Sequence, residues 1–342
     1  MRITKHIKAL DAYVYGEQPS GKNVIKINTN ENAYPPSPKC AQALAKFCTD
    51  SLRVYPNAEA LPLRKELAKL HKTSPQNIFV GNGSDEILTL AARAFVEDDE
   101  SIGSLDPSYS LYCTLADIRN VEWKGQDEAT FPACTPDTAL FIWTNPNAPT
   151  GKAVRAETIA KFAKTFKGVV IIDEAYADFA ASNCMHLATS AANRNIVVMR
   201  TFSKSYSLAG LRVGYCVGPK DLIAALFKIK DSYNVDAVAQ AVALAAVKDQ
   251  KWMKANVRKI VATRNWFSAE LARRGWQILP SETNFIFAKP KPGKKAKDIF
   301  AYLKTKNIFI RFFDKPKTRE YLRITIGTRE QMQKVLSSID KI

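Results

Sequence analysis

Residues 195–215 read NIVVMRTFSKSYSLAGLRVGY, and this stretch decides the class of fold. It begins with a mostly apolar, β-branched run, which is typical of a short buried strand. The small residues after that run, among them Gly210, favour a loop over a long helix. Lys204 therefore stands just after the end of a strand, with Arg212 further along the same loop. We expect a lysine and an arginine at one edge of a sheet.

The chain before this stretch alternates short apolar runs with helical stretches from residue 78 onward. The apolar runs are IFVG (78–81), SIGSL (101–105), ALFIWT (139–144), GVVIID (168–173) and NIVVMRTF (195–202). Strands that alternate with helices are typical of an α/β fold, in which a mostly parallel sheet has helices on both faces. We predict this fold for the larger part of the chain.

After about residue 235 the pattern changes to a long helical stretch, around 237–274, and then to further strand-like runs. This order is typical of an α+β unit. The chain of 342 residues also exceeds the size of one ordinary core, so two domains are expected. We predict a large domain at 34–235 and a smaller α+β domain made of 1–33 and 236–342.

Composition excludes several classes of protein. Hydrophobic residues make up 46% and charged residues 24% of the chain, as in soluble globular proteins. The start of the chain lacks the apolar core of a secretory signal, and no apolar stretch is long enough to span a bilayer. We therefore expect a cytoplasmic protein without a membrane partner. The six cysteines and three histidines lack metal-ligand spacing, so no metal site is expected.

The formal net charge of +17 raises the question of nucleic-acid binding. The basic residues are spread along the whole chain, and no helix-turn-helix, RNA-binding or zinc-finger pattern occurs. We therefore expect no nucleic-acid partner. The charge fits small anionic substrates better.

Polar residues stand directly after several of the predicted strands. Ligands of open α/β sheets bind at the carboxyl ends of the strands, so these residues are candidates for one site. The turn GNGSDE (81–86) leads directly into a helix, whose free N–H groups form an anion site. Asp173 ends the run GVVIID, and Tyr176 lies three residues further on. Other strand ends supply Tyr109 in DPSYSLY (106–112) and Asn147 in NPNAPTG (145–151).

This set of residues meets the requirements of pyridoxal 5'-phosphate. The aldehyde of this cofactor needs a lysine as Schiff-base anchor, for which Lys204 is the candidate. A carboxylate must keep the pyridine nitrogen protonated, and Asp173 can serve. Tyr176 can donate a hydrogen bond to the ring oxygen, and Tyr109 can stack on the ring face. We assign the phosphate to the backbone, hydroxyl and guanidinium groups of Gly83, Ser84, Asp85, Ser203 and Arg212.

The order of these segments resembles the fold-type I aminotransferases, and most closely the histidinol-phosphate aminotransferases. The segments are NTNEN, RVYPN, GNGSDE, DPSY, NPNAPTG, DEAY, TFSKSYSLAGLR and LRITIGT, and the likeness covers nearly the whole chain. It implies an enzyme that uses pyridoxal phosphate to move an amino group between L-histidinol phosphate and 2-oxoglutarate, giving glutamate. Lys204, Asp173 and Tyr176 match the family's catalytic residues.

Three alternatives remain open at this point. An aromatic amino-acid aminotransferase and a threonine-phosphate decarboxylase share the fold and the cofactor. A catalytically silent protein that only binds pyridoxal phosphate is the alternative outside the enzymes. Selectivity for one substrate depends on loops whose arrangement the sequence does not determine.

The resemblance also assigns further binding residues. Thr201 and Tyr55 match cofactor-binding positions, and Tyr55 resembles a tyrosine that reaches the cofactor phosphate of the neighbouring subunit. This implies a homodimer with composite active sites. Tyr13, Asn30 and Asn284 match positions that line the substrate pocket.

One position departs from the family pattern. Members usually carry an asparagine immediately before PTG, where its amide bonds the ring oxygen of the cofactor. This chain has Ala148 there. Either Asn147 reaches the ring oxygen, or Tyr176 bonds it alone.

Two arginines in the C-terminal part are candidates for substrate binding. Arg311 lies in FIRFF (309–313), and Arg323 lies in LRITIGT (322–328). An arginine fork suits both carboxylate and phosphate, so this pair can bind glutamate and a phosphorylated donor in alternate half-reactions. We predict that both arginines recognise substrate anions.

Overall fold

The computed structural model describes residues 2–10, 15–21 and 23–342. The helices within these residues are α1 (Lys5–Ala9), α2 (Pro38–Ala45), α3 (Leu61–His71), α4 (Gly83–Ala94), α5 (Leu111–Arg119), α6 (Ala156–Thr165), α7 (Met185–Thr189), α8 (Lys220–Ile229), α9 (Ala237–Val247), α10 (Gln250–Arg273), α11 (Ala296–Thr305) and α12 (Arg329–Ile339). None of these helices is both long and apolar enough to cross a membrane.

The strands belong to two main sheets and one short pair. They are β1 (Ile25–Lys26), β2 (Ile78–Gly81), β3 (Ser101–Asp106), β4 (Glu122–Asp127), β5 (Thr138–Thr144), β6 (Val169–Asp173), β7 (Ile196–Thr201), β8 (Gly214–Val217), β9 (Gln277–Ile278), β10 (Phe285–Lys289), β11 (Ile308–Phe309), β12 (Arg311–Phe312) and β13 (Leu322–Thr325). The apolar runs predicted as strands 78–81, 101–105, 139–144, 168–173 and 195–202 all overlap observed strands.

The larger sheet has the order β2-β8-β7-β6-β5-β3-β4. Strands β4, β3, β5, β6 and β7 are parallel neighbours, whereas β8 runs antiparallel to both β7 and β2. The prediction of a mostly parallel α/β sheet is therefore confirmed. The parallel strands end at the same edge, which brings the polar residues at their ends together.

Helices cover both faces of this sheet. Val170 and Ile172 of β6 belong to one buried cluster, whereas Ile171 between them belongs to a second cluster on the opposite face. Helices α4, α5 and α8 contribute to the second cluster, and α3, α6 and α9 contribute to the first. Alternate side chains of a strand point to opposite faces, so an uninterrupted apolar run requires helices on both sides.

The C-terminal part forms a smaller antiparallel sheet of order β12-β13-β10-β9. The N-terminal strand β1 pairs in parallel with β11, so the start of the chain lies against this C-terminal part. The expected smaller α+β unit is present. The boundaries predicted for the two domains, 34–235 against 1–33 with 236–342, stay a prediction, and the β1–β11 pairing is consistent with them.

The single long helix predicted around 237–274 is wrong, because the structure has two helices there. Helix α9 ends at Val247, and α10 begins at Gln250. Asp249 lies between them and accepts a hydrogen bond from the backbone N–H of Trp252, so it caps α10. An aspartate at this position stabilises a new helix start and ends the apolar pattern of α9.

Candidate active site

The ends of β5, β6 and β7 and the N-terminus of α4 open onto one cavity of about 1890 Å³. Residues of β12 and β13 also border it. The predicted site residues that line the cavity are Asn30, Ser84, Asp85, Tyr109, Asp173, Tyr176, Thr201, Ser203, Lys204, Arg212, Arg311 and Arg323. The fold thus gathers residues that are up to about three hundred positions apart in the chain.

Asp173 is a buried carboxylate at the end of β6. Its Oδ2 accepts a hydrogen bond of 2.8 Å from the Tyr112 hydroxyl, and its Oδ1 accepts one of 3.0 Å from the Ala175 N–H. Burial raises the pKa of Asp173 to about 6, although these two donors lower it. No ion pair with Asp173 is formed by the described residues. A cavity that holds such a carboxylate favours a cationic group on the ligand.

Tyr112 was not among the predicted site residues. It is fully buried in α5, and its hydroxyl also lies 2.6 Å from the Thr144 hydroxyl. The sequence signal was its place in DPSYSLY, but nothing in that segment indicated a partner on β6. Tyr112 orients the carboxylate of Asp173.

Lys204 lies in the loop after β7, as the sequence predicts. Its Nζ donates a hydrogen bond of 3.2 Å to the backbone oxygen of Thr29 and lies 5.8 Å from the centroid of the Tyr176 ring. Burial, and after it the nearby charge of Arg323, lowers the pKa of Lys204 to about 8. The lowered pKa makes the neutral amine, the form that can act as nucleophile or base, far more abundant near neutral pH than it is for an ordinary lysine.

Tyr176 lies just after β6 and presents its phenol to the same cavity. Its oxygen accepts a hydrogen bond of 2.9 Å from Nδ2 of Asn30. Burial raises the pKa of Tyr176 above its ordinary value, so the phenol stays protonated at neutral pH. A protonated phenol can donate to an oxygen of a bound ligand.

The start of α4 forms an anion cradle. Gly83 has φ +79°, and a Cβ at this position would lie 2.8 Å from a guanidinium nitrogen of Arg212. A Cβ on Gly214 of β8 would lie 2.6 Å from the backbone nitrogen of Ser84. Glycine at both positions therefore leaves the backbone N–H groups of the helix N-terminus accessible to an anion.

Arg212 and Ser203 complete the cradle. One guanidinium nitrogen of Arg212 lies 3.1 Å from Asp85 Oδ2, and the other lies 3.5 Å from Ser203 Oγ. Thr201 Oγ1 donates to Ser203 Oγ at 2.9 Å, which fixes that hydroxyl. The Arg212–Asp85 pair is about half exposed, so a phosphate can compete for the guanidinium at small cost.

Tyr109 lies on the cavity wall. Its ring meets Tyr112 edge to face, with 5.6 Å between the centroids and 86° between the planes. This packing against a buried ring fixes the plane that Tyr109 offers to a ligand. The geometry fits the stacking role predicted for it.

Asn147 is not among the residues that line the cavity, whereas Ala148 is. Its amide nitrogen donates to the backbone oxygen of Pro107 and to side-chain oxygens of Glu128 and Thr150. Its amide oxygen accepts from Ser108 at 2.9 Å. The side chain thus ties its loop to the segments that follow β3 and β4. Of the two alternatives for the ring oxygen, this arrangement favours Tyr176.

Arg311 and Arg323 lie side by side on neighbouring strands of the small sheet. Strands β12 and β13 are antiparallel, and their register pairs Arg311 directly with Arg323. Both side chains line the cavity, and both guanidinium carbons lie 5.2 Å from the centroid of the Phe313 ring. Arg323 also donates a hydrogen bond of 2.8 Å to the backbone oxygen of Asn28.

The remaining predicted residues lie elsewhere. Asn284 is completely buried and, unlike Asn30, is not among the cavity-lining residues. Tyr55 is 77% exposed and is not among them either, and its ring stacks on Tyr233 with 4.2 Å between the centroids. Tyr13 lies outside the described residues.

A buried ion cluster behind Lys204 was missed by the sequence reasoning. Arg200 of β7 forms ion pairs with Glu174 at 2.7 Å and with Asp178 at 2.8 Å, and Asp178 accepts a hydrogen bond from Ser205. The cluster joins the loop of Lys204 to the segment just after β6. Glu174 stands in the motif DEAY, but its partner on another strand could not be inferred from the motif.

The described residues contain no group of histidine, cysteine, aspartate or glutamate side chains that could hold a metal ion.

Residues 22–339 match the family described as aminotransferase class I and II, and the chain belongs to that family. It is a pyridoxal-phosphate-dependent aminotransferase. A protein named histidinol-phosphate aminotransferase from Geobacter sp. (strain M21) is 44% identical to it over 346 residues, which cover 99% of this chain and 98% of that protein.

Solved structures agree with this assignment. The crystal structure of histidinol-phosphate aminotransferase from Sinorhizobium meliloti in complex with pyridoxal-5'-phosphate has a TM-score of 0.90 and 26% identity, and covers 99% of this chain and 97% of that one. L-threonine-O-3-phosphate decarboxylase from Porphyromonas gingivalis has a TM-score of 0.84 and 23% identity, and covers 93% of this chain and 99% of that one. The second likeness concerns the fold alone.

The residues present fit pyridoxal phosphate. The glycine-lined helix N-terminus with Arg212 offers an anion cradle for the phosphate, as the close approaches at Gly83 and Gly214 show. The buried carboxylate of Asp173 matches a protonated pyridine nitrogen. The depressed pKa of Lys204 matches an amine that must react with an aldehyde.

Proposed function

We propose that this enzyme transfers the amino group of L-histidinol phosphate to 2-oxoglutarate, as a cytoplasmic homodimer in histidine biosynthesis. The products are imidazole-acetol phosphate and glutamate. The name and the identity of the Geobacter protein support this substrate. The observation in the site that carries the proposal is the pairing of Arg311 with Arg323.

Arg311 and Arg323 stand directly opposite each other on neighbouring strands of an antiparallel pair. Side chains at opposite positions have Cβ atoms about 4.5–5.5 Å apart, so one anionic group can contact both guanidinium groups. The chain keeps this arrangement at the wall of a cavity that also holds Lys204. We infer that Arg311 and Arg323 bind the phosphate of the donor and the distal carboxylate of glutamate in turn.

The bound cofactor supplies an aldehyde that captures amines and a pyridinium ring that withdraws electrons from the substrate's α-carbon. Lys204 supplies the amine that holds the cofactor covalently. With cofactor and substrate bound, the Nζ of Lys204 would remove the proton from the substrate's α-carbon. Asp173 keeps the pyridine nitrogen protonated, and Tyr176 donates a hydrogen bond to the ring oxygen.

The phosphate of the cofactor is held by the N–H groups of Gly83, Ser84 and Asp85, with Ser203 and Arg212. Tyr109 would stack on one face of the cofactor ring. Arg323 acts both on the substrate anion and, through its charge, on the pKa of Lys204.

A comparison of three amino donors tests the proposed substrate. Wild-type enzyme is compared with Arg311→Ala and Arg323→Lys for histidinol phosphate, unphosphorylated histidinol and phenylalanine. We expect a strong preference for histidinol phosphate in the wild type, because only that donor brings a phosphate to the two arginines. Each variant should lose about ten- to a hundredfold in kcat/KM for histidinol phosphate and for glutamate, since a charge-assisted contact contributes about 1.5–3 kcal/mol.

Arg319→Ala is the matched control, because Arg319 lies near this pair in the chain but is exposed and outside the cavity. It should leave the preference unchanged. If wild-type enzyme uses histidinol as well as its phosphate, the assigned substrate is wrong. If phenylalanine is the best donor, the enzyme is an aromatic amino-acid aminotransferase. A preserved phosphate preference in Arg311→Ala removes only the role of Arg311.

The second part of the proposal is a homodimer in which Tyr55 serves the partner's active site. Tyr55 and Tyr233 stack on the surface, and Leu52 and Val54 beside them are each more than half exposed. An exposed apolar group of this kind fits an interface between subunits. Tyr55 does not line the cavity of its own chain, which supports a contact with the cofactor phosphate of the partner rather than with its own.

Mixed dimers test this arrangement. Chains with Lys204→Ala and chains with Tyr55→Ala are unfolded together and refolded, and the activity of the mixture is measured. If Tyr55 acts across the interface, each mixed dimer has one doubly defective site and one intact site, so activity returns. If Tyr55 acts in its own chain, or if the protein sediments as a monomer, no activity is regained. Each variant refolded alone is the control.

A further inference from the structure

A directed series of hydrogen bonds lies behind Tyr176. The backbone N–H of Asn30 donates to Thr325 Oγ1 at 3.1 Å, and the Thr325 hydroxyl donates to Asn30 Oδ1 at 2.9 Å. The other end of the same amide, Nδ2, donates to the Tyr176 oxygen at 2.9 Å. Asn30 is 1% exposed, Thr325 2% and Tyr176 7%, so water cannot easily replace any of these bonds.

The direction of the series is set by which groups can donate. A backbone N–H can only donate, so the Thr325 oxygen must accept from Asn30. The single proton of that hydroxyl then has to be donated elsewhere, and Asn30 Oδ1 is the acceptor within reach. The amide oxygen of Asn30 therefore faces Thr325, and its NH₂ group faces Tyr176.

The reversed amide is disfavoured. It would place the NH₂ group, instead of the amide oxygen, beside the Thr325 hydroxyl. That oxygen could accept a second hydrogen bond, but the proton of the buried hydroxyl would lose its acceptor. A buried donor without an acceptor reduces stability, commonly by enough to leave the reversed amide in the minority. Thr325 therefore decides which end of the Asn30 amide meets the phenol.

The orientation of the amide decides what the phenol does. Because Tyr176 accepts from Asn30, its own hydrogen is not used in that bond. Within residues 2–10, 15–21 and 23–342, no protein acceptor for this hydrogen is present, and the ring borders the cavity. In the reversed arrangement the phenol would donate to Asn30 instead and would have no hydrogen for a ligand.

The backbone of Asn30 is fixed by its conformation and by a hydrogen bond from Asn284. It has φ +58°, a left-handed conformation that asparagine tolerates better than most residues. Nδ2 of the buried Asn284 donates to its backbone oxygen at 3.0 Å. Asn284 and Thr325 lie at or beside the small sheet, whereas Tyr176 lies just after β6 of the large sheet. The series thus joins the two sheets at the cavity.

We propose that Thr325 and Asn30 are positioning residues that hold Tyr176 as a hydrogen-bond donor toward the ring oxygen of the cofactor. Asn30, predicted from the sequence as a substrate-binding residue, then acts through Tyr176. Thr325 acts without touching the cavity at all. The inference rests on the proposed role of Tyr176 and extends it to two residues that control it.

The test measures the pH midpoint of the visible absorption band of the bound cofactor. A phenol that donates to the ring oxygen draws electron density from it, so the neighbouring nitrogen of the lysine–cofactor linkage becomes more acidic. Loss of the donor raises the midpoint. We expect Thr325→Val, which replaces the hydroxyl by a methyl group of similar size, to raise the midpoint by about 0.4–1 pH unit. Thr325→Ser keeps the hydroxyl and should keep the wild-type midpoint.

A double-mutant cycle separates positioning from a general structural effect. Tyr176→Phe should raise the midpoint by at least as much as Thr325→Val does. In the Tyr176→Phe background, Thr325→Val should then change nothing further, because the group through which it acts is gone. The KM of the donor should stay close to wild type, while kcat decreases. The thermal midpoint of the cofactor-free variants checks that each one is folded.

Each failure points to a different error. If Tyr176→Phe leaves the midpoint unchanged, the proposed role of Tyr176 is wrong. If Tyr176→Phe raises it and Thr325→Val does not, the role of Thr325 is wrong. Equal shifts from Thr325→Val in both backgrounds would also overturn the inference. Should Thr325→Val fold poorly, Asn30→Asp carries the same cycle, because a carboxylate accepts only and takes the phenol hydrogen away from the cavity.

Discussion

Replacing Lys204 with alanine is expected to lower transamination by about 10²–10⁴-fold or more, because it removes the amine that we propose moves the substrate's α-proton. The fold should survive, since the Nζ makes one hydrogen bond, to the Thr29 carbonyl. The measurements are the initial rate of glutamate formation and the thermal midpoint. Lys315→Ala is the matched control, because Lys315 also borders the cavity but is exposed.

A covalent label checks the same residue. Borohydride reduction of the wild-type holoenzyme should fix the cofactor to the peptide that contains Lys204, and no peptide should be labelled in Lys204→Ala. A label on another lysine would show that the anchor has been misassigned. Lys315→Ala should keep both the label and full activity. That result would show that Lys315, although it borders the cavity, is not the anchor.

The lowered pKa of Lys204 predicts how the rate of cofactor uptake depends on pH. It is lowered from an ordinary 10.5 to about 8, so the neutral amine becomes the major form above about pH 8. Uptake of pyridoxal phosphate by the cofactor-free protein should therefore become faster with rising pH and level off above about pH 8. The rate of appearance of the visible band measures this. A rate that keeps rising toward about pH 10 would indicate an unperturbed lysine.

Asp173→Asn is expected to have the second-largest effect. A neutral amide cannot hold the pyridine nitrogen protonated, so the ring withdraws electrons less strongly from the substrate. Removing one partner of a buried charged pair typically costs about 3–5 kcal/mol. This corresponds to a loss of roughly 10²- to 5 × 10³-fold in kcat. The variant should still bind cofactor, because the phosphate cradle and Lys204 remain.

Asp85→Asn is the control for this variant, since Asp85 is another carboxylate at the cavity but pairs with Arg212 at the exposed cradle. It should change kcat much less than Asp173→Asn. Near wild-type turnover in Asp173→Asn would show that another residue faces the ring nitrogen. Loss of all cofactor from that variant would show that Asp173 acts in binding rather than in catalysis.

The cofactor-free protein offers a stability test of the same carboxyl group. Its pKa is raised from an ordinary 3.8 to about 6, so the folded state holds this proton more tightly than the unfolded state. The resulting stabilisation is complete below about pH 3.8 and is lost as the pH rises through about 6. Relative to Asp173→Asn, the wild type should thus lose up to about 3 kcal/mol of unfolding free energy across this range. Equal pH dependence of both proteins would contradict the raised pKa.

The sequence by itself determined the larger sheet and the residues at its strand ends. Short β-branched runs between helical stretches predict buried parallel strands, because a strand covered on both faces needs apolar side chains throughout. Parallel strands that end at one edge place the residues at and after their ends, such as Asp173 and Lys204, at one site. These inferences need only local patterns and one rule about sheets, so no distant contact had to be known.

Only the tertiary structure decided how the remaining groups meet. The sequence could not show that the Asn147 amide forms hydrogen bonds within the protein, because its partners Glu128 and Pro107 lie in other segments. Nor could it show that the helix is interrupted at Asp249, because residues with helical apolar spacing continue almost up to Asp249 from both sides.

The tertiary structure also determines the register of the small sheet and the contacts between the two sheets, which the sequence does not predict. Arg311 opposes Arg323 because β12 and β13 pair at that register, and a shift by one residue would turn one arginine to the other face. Thr325 and Asn30 are 295 positions apart, and Asn30 and Tyr176 are 146 apart, yet their hydrogen bonds orient one phenol. Hydrogen bonds between such distant residues leave no periodic trace in the sequence, because their geometry exists only after both sheets have packed around the cavity.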